Sequence, residues 1–200
     1  DQPAGYLDGL DAPGSAGGTA QNPGDQIYDI VLAAGQNGTD YDFGELLPAS
    51  ISGIVAVDEN GNDLYDAGEA LLSGVTVHLL DAFGNRIDST TTDSQGRYEF
   101  AGLVPGLYGV EEEQPAGYFD GPDFIGSEGG ALDPPDAIIA AGLAPGVSGT
   151  GYDFLELAPG SISGRVYVER DGDCQYDVGE PLLAGVTVYL LDAGGSRIDS

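Results

Sequence analysis

Asp58-Glu-Asn-Gly-Asn-Asp-Leu-Tyr-Asp-Ala-Gly-Glu69 follows directly on the alternating run Ile51 to Val57, so it reads as an acidic loop at the end of a β-strand. Taken as twelve residues, it puts oxygen-bearing side chains at positions 1, 3, 5, 9 and 12: Asp58, Asn60, Asn62, Asp66 and Glu69. That is the spacing of a calcium loop. Alternate residues of a tight turn point inward, a backbone carbonyl fills position 7 (here Leu64), and the last glutamate can give both oxygens. The stretch returns as Glu169-Arg-Asp-Gly-Asp-Cys-Gln-Tyr-Asp-Val-Gly-Glu180, with donors Glu169, Asp171, Asp173, Asp177 and Glu180 and the carbonyl of Gln175 at position 7. One such loop decides little, because Asp, Asn and Gly also make ordinary solvated turns. Two copies say more. Glu59 becomes Arg170 and Asp63 becomes Cys174, while every donor position keeps an oxygen. The expected ligand of both loops is Ca2+.

Two positions depart from the pattern. Position 6 is usually Gly, because the turn wants a positive φ. Here it is Asp63, which tolerates that region, and Cys174, which does so less well. Glu169 is also one methylene longer than Asp58. The second loop is therefore expected to be distorted or weaker.

Composition narrows the function classes. The 200 residues carry 34 acidic and 5 basic side chains, for a formal net charge of -29. All five basic residues are Arg (Arg86, Arg97, Arg165, Arg170 and Arg197) and there is no Lys. Nucleic acid and anionic membranes would be repelled. Bound cations would relieve the self-repulsion locally. A hydrophobic content of 41% suffices for a core, so this is not a disordered acidic tail. No apolar run approaches the ~20 residues that span a bilayer, so membrane insertion is not expected here. Cys174 is the single cysteine of this segment, which excludes a disulfide within it and leaves a free loop thiol, an interchain bridge or a partner outside the segment.

The chain repeats itself. Gln2-Pro-Ala-Gly-Tyr-Leu-Asp8 matches Gln114-Pro-Ala-Gly-Tyr-Phe-Asp120, Tyr41-Asp-Phe43 matches Tyr152-Asp-Phe154, and Ile51-Ser-Gly53 matches Ile162-Ser-Gly164. The spacing is about 111 residues, with a one-residue slip between Gly18 and Asp25. Residues 1–49 then read as the C-terminal part of one repeat, 50–160 as a complete one, and 161–200 as the N-terminal part of the next. Such a segment is expected to be a window on a longer tandem array, or the visible part of a fibre.

Within the complete repeat the period is that of strands. They are expected at 51–57, 74–80, 86–93, 97–100, 107–113, 138–139 and 152–157. Val75, Val77 and Leu79 share one face, which turns His78 outward as a surface strand residue. Asp81 to Asn85 reads as a hairpin turn, and Gly96 closes another turn with positive φ. Residues 115–136 read as a long loop. About seven short strands without a helix predict an all-β protein of tandem β-sandwich repeats. The short junctions at 47–50 and 158–161, each with a Pro, favour a rod over loose beads.

Taken in order, Asp58…Asp66-Ala-Gly-Glu69, Leu72-Ser-Gly-Val-Thr-Val77, Thr92-Asp-Ser-Gln-Gly-Arg-Tyr-Glu-Phe100, Gly102-Leu-Val-Pro-Gly-Leu-Tyr108 and Tyr152-Asp-Phe154 resemble the B-repeat domain of serine-aspartate-repeat (SdrD-like) surface proteins, relatives of collagen-adhesin B-type domains. The resemblance implies an all-β fold of tandem immunoglobulin-like or prealbumin-like β-sandwich repeats, with calcium in the loop positions given above. It also implies a stiff stalk on a secreted or surface-anchored bacterial protein. Some relatives carry a Lys–Asn isopeptide crosslink, which a chain without Lys cannot form. Asp81, Asp93 and Asp153 are added as further candidate carboxylate ligands, without a ligand spacing to support them.

Three functional classes compete. The first is a calcium-stiffened structural stalk or filament, outside the cell, whose partners are calcium, neighbouring repeats and identical chains in a fibre. The second is an adhesin that binds a host protein, a glycan or a neighbouring cell, for which the segment Tyr118 to Ala137 is the candidate loop. The third is an enzyme. It is not expected, because 34 acidic residues make chance carboxylate pairs inevitable while one His, one Cys and no Lys leave few parts for nucleophilic chemistry.

Overall fold

The computed structural model describes residues 2–199, which divide into two units, Asp1–Pro159 and Gly160–Ser200. In chain order the first unit holds β1 (Leu7–Asp8), β2 (Thr19–Gln21), β3 (Gln26–Tyr28), β4 (Glu45–Leu46), β5 (Ala49–Asp58), β6 (Thr76–Leu80), β7 (Arg86–Thr91), β8 (Arg97–Leu103), β9 (Gly106–Glu112), β10 (Phe119–Phe124), β11 (Ala131–Leu132), β12 (Ala137–Leu143), β13 (Ser148–Gly149) and β14 (Asp153–Leu157). The second holds β15 (Leu190–Leu191) and β16 (Arg197–Asp199). No helix occurs among the described residues, and the all-β expectation holds.

From Ala49 to Leu157 the chain forms a β-sandwich. One sheet runs β10-β14-β5-β13, with β8 also on β5, and the other runs β11-β12-β9-β6-β7. β5 is the hub of the first sheet, antiparallel to β8 and parallel to β13 and β14. Alternation along the strands builds the core between the sheets. Ile51 and Val55 of β5, Tyr98 and Phe100 of β8, and Phe154 of β14 meet Val77 and Leu79 of β6, Val110 of β9 and Ile138 of β12. Gly53 of β5 is a packing requirement: a Cβ there would lie 1.7 Å from the carbonyl oxygen of Tyr152. The Tyr98 hydroxyl donates to that same carbonyl at 2.5 Å, which ties β8 to the residue just before β14.

Most sequence-based strands recur within a few residues of their expected ends. His78 lies on the outward face of β6 and bonds Glu113 at 2.9 Å. The Asp81 to Asn85 turn closes with Gly84 at φ 81, and Gly96 has φ 65. The 115–136 loop is corrected. It contains β10, paired antiparallel with β14, and β11, paired with β12. Its Asp120-Gly-Pro-Asp123 segment has poor β-propensity and reads as a turn. A bulge between Asp120 and Asp123 accommodates the Pro, and the absent side chain of Gly121 lets the Leu155 carbonyl approach. β13 was likewise not expected.

The repeated stretches adopt matching registers. Leu7 pairs with Leu46 as Phe119 pairs with Leu157, and Ala20 with Ile27 as Leu132 with Ile138. In the second unit the bridge Tyr167–Leu182 corresponds to Ala56–Leu71. Burial differs, however. Phe154 is fully buried, whereas Phe43, at the matching position, is 51% exposed.

Candidate metal centre

The loop at 58–69 starts at the last residue of β5, where the chain leaves the sheet. Asp58 is buried, 3% exposed, and its carboxylate organises the first turn. Oδ1 accepts the N–H groups of Gly61 at 2.7 Å and Asn62 at 3.3 Å, and Oδ2 accepts that of Asp63 at 2.8 Å. Burial pushes the Asp58 carboxyl up, but the backbone N–H groups of Asp63, Gly61, Asn62 and Asn60 together hold it below the usual range. Asp63 takes the left-handed conformation that position 6 demands, with φ 62.

Glu69 closes the loop from the other end. Oε1 accepts the Glu59 N–H at 3.0 Å and Oε2 the Asp66 N–H at 2.7 Å. Asn60 and Asn62 sit between the carboxylates: Nδ2 of Asn60 donates to Asp66 at 2.9 Å and Glu69 at 3.1 Å, and Nδ2 of Asn62 donates to Asp66 at 2.8 Å. Asp58, Asn60, Asn62, Asp66 and Glu69 are therefore gathered by one bonding network. Half-turns of the two carboxamides would present Oδ1 in place of Nδ2. This hard, oxygen-rich donor set could hold Ca2+, for which the Leu64 carbonyl would be the position-7 donor.

The loop at 169–180 repeats the backbone. Cys174 has φ 64, and Gly172 and Gly179 have φ 81 and 115, beside 72 and 116 at Gly61 and Gly68. Glu180 repeats the clamp of Glu69: Oε1 accepts the Arg170 N–H at 2.9 Å and Oε2 the Asp177 N–H at 3.1 Å. The first position differs, as its extra methylene predicts. Glu169 Oε1 accepts the N–H groups of Arg170, Asp171 and Gly172, one to three residues on, and never reaches position 6. The Gly172 N–H, ahead of the opposing effect of burial, holds the Glu169 carboxyl below its ordinary value. Carboxylate oxygens of Glu169, Asp171 and Asp173 all lie within 4.8 Å of one another, and all three residues are exposed. The Gln175 N–H bonds Asp173 at 2.7 Å.

Asp81, Asp93 and Asp153 join neither loop. Asp81 caps its own hairpin through Phe83 N–H and through the backbone and side chain of Asn85. Asp93 caps the next turn through the N–H groups of Gln95 and Arg97. These bonds hold both carboxyls below the usual range. Asp153 accepts the Ile54 N–H at 2.9 Å, and burial pushes its carboxyl up. Each has a local structural role.

Residues 49–133 match the family model of the SdrD B-like domain. This stretch is an SdrD B-like domain. Among relatives of the whole chain, the serine-aspartate repeat-containing protein C of Staphylococcus aureus (strain Newman) is 31% identical over 164 residues, covering 81% of this chain and 17% of the relative. Serine-aspartate repeat-containing protein D of the same strain is 27% identical over 191 residues, covering 94% of this chain and 14% of the relative. The chain thus spans less than a fifth of the curated relatives it matches. Solved structures similar to it include the minor pilin GBS52 of Streptococcus agalactiae, at 16% identity and TM-score 0.37, covering 60% of this chain and 49% of that one. The major pilin subunit BcpA of Bacillus cereus matches at 16% identity and TM-score 0.35, covering 55% of this chain and 28% of that one. In the SdrD B-like domain the calcium-type loop leaves β5 next to the end of β14, where Leu157 pairs with Asp58.

A second group of acids escaped the sequence reading. Glu112 of β9, Asp120 and Asp123 of β10, Asp136 before β12 and Glu156 of β14 interact with one another at this end of the sandwich. Strand alternation was the available signal: Glu112 follows Tyr108 and Val110 on one face of β9, and Glu156 follows Phe154 on β14.

Proposed function

We propose that this chain belongs to an extracellular rod of tandem β-sandwich repeats, carried by a secreted or surface-anchored bacterial protein and stiffened by Ca2+ in the loops at 58–69 and 169–180. One observation carries the reading: both loops build the same backbone turn, with a positive φ at Asp63 and Cys174 and a clamping glutamate at Glu69 and Glu180, although their intervening residues differ. Asp, Asn and Glu side chains are held facing one another, where their charge favours a hard divalent cation. The relatives' description as serine-aspartate repeat-containing proteins and the SdrD B-like domain at 49–133 support a surface stalk. The role is mechanical rather than catalytic. Calcium would fix the point where the first strand of a sandwich leaves the sheet, about eight residues after the Leu47 to Ser50 junction. Neighbouring repeats, and identical chains in a fibre, are the partners of such a rod.

The test is calcium titration of the chain, with heat unfolding and small-angle scattering before and after chelation. A ligand bound only by the folded state stabilises it by about 4 kcal/mol at a thousandfold excess over Kd, a rise in Tm on the order of 20 °C for a ~100-residue domain. Chelation should lower Tm by that order and shorten the particle. An unchanged Tm and an unchanged length would reject the calcium-stiffened rod.

A further inference from the structure

The sandwich buries two carboxylates, one of them without any hydrogen-bond partner. Glu112 is 3% exposed, and both of its carboxylate oxygens are buried without a hydrogen-bond partner. Glu156, 1% exposed, reaches inward from the other sheet and accepts a bond from Gln114. Asp120 is the cross-strand partner of Glu156 and the charge that acts most on Asp136. The Asp136 carbonyl accepts the Glu112 N–H at 2.8 Å, and Asp123 follows the bulge in β10. Glu112 and Glu156 are thus buried, Asp123 and Asp136 half-buried, and Asp120 stands at the exposed mouth of the group.

The groups acting on Glu112 are burial first, then Glu156, Asp136, Asp123 and Asp120. Each carboxylate is a source of repulsion for the others. An uncompensated buried charge is strongly unfavourable, so a fold that collects carboxylates here needs a cation or bound protons.

All of the arrangement except Glu112 has a counterpart in the first 49 residues. Gln2, Asp8, Asp11, Asp25 and Glu45 stand where the repeated sequence has Gln114, Asp120, Asp123, Asp136 and Glu156. Gln2 bonds Glu45 as Gln114 bonds Glu156. Oδ1 of Asp8 and Oδ2 of Asp11 are also buried without partners. Neighbouring residues differ (Leu10 against Pro122, Ala12 against Phe124), while the acids persist.

We propose that Glu112, Asp120, Asp123, Asp136 and Glu156 form a second divalent-cation site, separate from the loop at 58–69, which takes Ca2+ through the mouth at Asp120 and joins the two sheets across the end of the sandwich. Carboxylates from four different elements suit Ca2+, which accepts six to eight oxygens in flexible geometry. Mg2+ demands a near-ideal octahedron and keeps its waters. Gln114 positions Glu156, and its amide oxygen is a further neutral donor. Loop and cluster need not stand or fall together.

The test is equilibrium dialysis of the full 200-residue chain against Ca2+, with Mg2+ in parallel, followed by heat unfolding. The two loops alone account for two ions, so the wild-type chain should bind at least three. Glu112→Gln with Glu156→Gln removes at least one ion and leaves the ions lost in Asp58→Ala and Glu169→Ala unaffected. The paired Gln variant should also cross over: in chelator it melts above the wild type, because repulsion is gone, and in Ca2+ it gains less. A wild type that binds only two ions overturns the proposal, and so do an ion count and calcium-dependent gain in Tm unchanged by the Gln pair. Mg2+ binding equal to Ca2+ at the cluster overturns the choice of ion. Loss of binding in the loop variants alone would leave the proposed function standing and reject this site.

Discussion

The loop at 58–69 and the cluster around Glu112 are built from the same residue types and reach opposite electrostatic states. In the loop, the carboxylate of Asp58 is surrounded by N–H groups of its own turn and is held ionised. In the cluster the neighbours are other carboxylates. Burial and those neighbours push Glu112 up to about 9 and Asp123 up to about 7. Burial also raises Glu156 to about 7, against the lowering bond from Gln114, and Asp136 to about 6 beside Asp120. A turn carries its own donors, whereas strands spend theirs on the ladder and leave inward carboxylates without any. Acid content alone therefore does not tell a preformed anionic loop from a frustrated buried pocket.

The largest expected contrast is in pH. In chelator, the cluster stabilises the fold fully below about pH 4, because the folded chain holds protons that the unfolded chain has begun to release above it. That stability is lost as pH rises through about 6, 7 and 9, the values of Asp136, of Glu156 and Asp123, and of Glu112. The slope reaches up to about 1.4 kcal/mol per pH unit for each proton concerned. Asp58 and Glu169 have the opposite sign, since their folded values are depressed; their contribution is present above the ordinary carboxylate range and lost as pH falls through the folded value. Chemical denaturation at pH 5, 7 and 9 in chelator should show a decline toward pH 9, and the decline should shrink in Glu112→Gln. A flat profile would mean that the cluster is not strained.

A smaller difference separates the two loops. Asp58→Ala removes a buried carboxylate that three backbone N–H groups share, including the one at position 6. Glu169→Ala removes an exposed one whose bonds end at position 4. Calcium titration should show Asp58→Ala weakening its loop by at least the ~10–100-fold that loss of even an outer-shell partner costs, and Glu169→Ala weakening its own by less. Equal losses would erase the distinction between the loops.

The smallest effect lies at position 6. Cys174 holds φ 64 with a side chain poorly suited to it. Cys174→Gly should tighten the second loop by about 1 kcal/mol, a shift of several-fold in Kd, whereas Asp63→Gly should change the first loop less because Asp tolerates that region. A larger gain at Asp63 would reverse this ranking.

The two loops are legible in the sequence alone, because their donors are local: the candidate side-chain ligands of each loop lie within twelve residues, and the turn follows from their spacing. So are most strands, since alternation is a local signal that the core of Ile51, Val77, Tyr98, Phe100 and Phe154 obeys. That 119–124 is a strand follows from tertiary pairing alone, because Asp120-Gly-Pro-Asp123 has poor propensity for one and is held by pairing with β14. Tertiary structure alone brought Glu112 opposite Glu156. Their 44-residue separation in the chain is closed by two sheets packing face to face, and no local rule places one buried carboxylate against another.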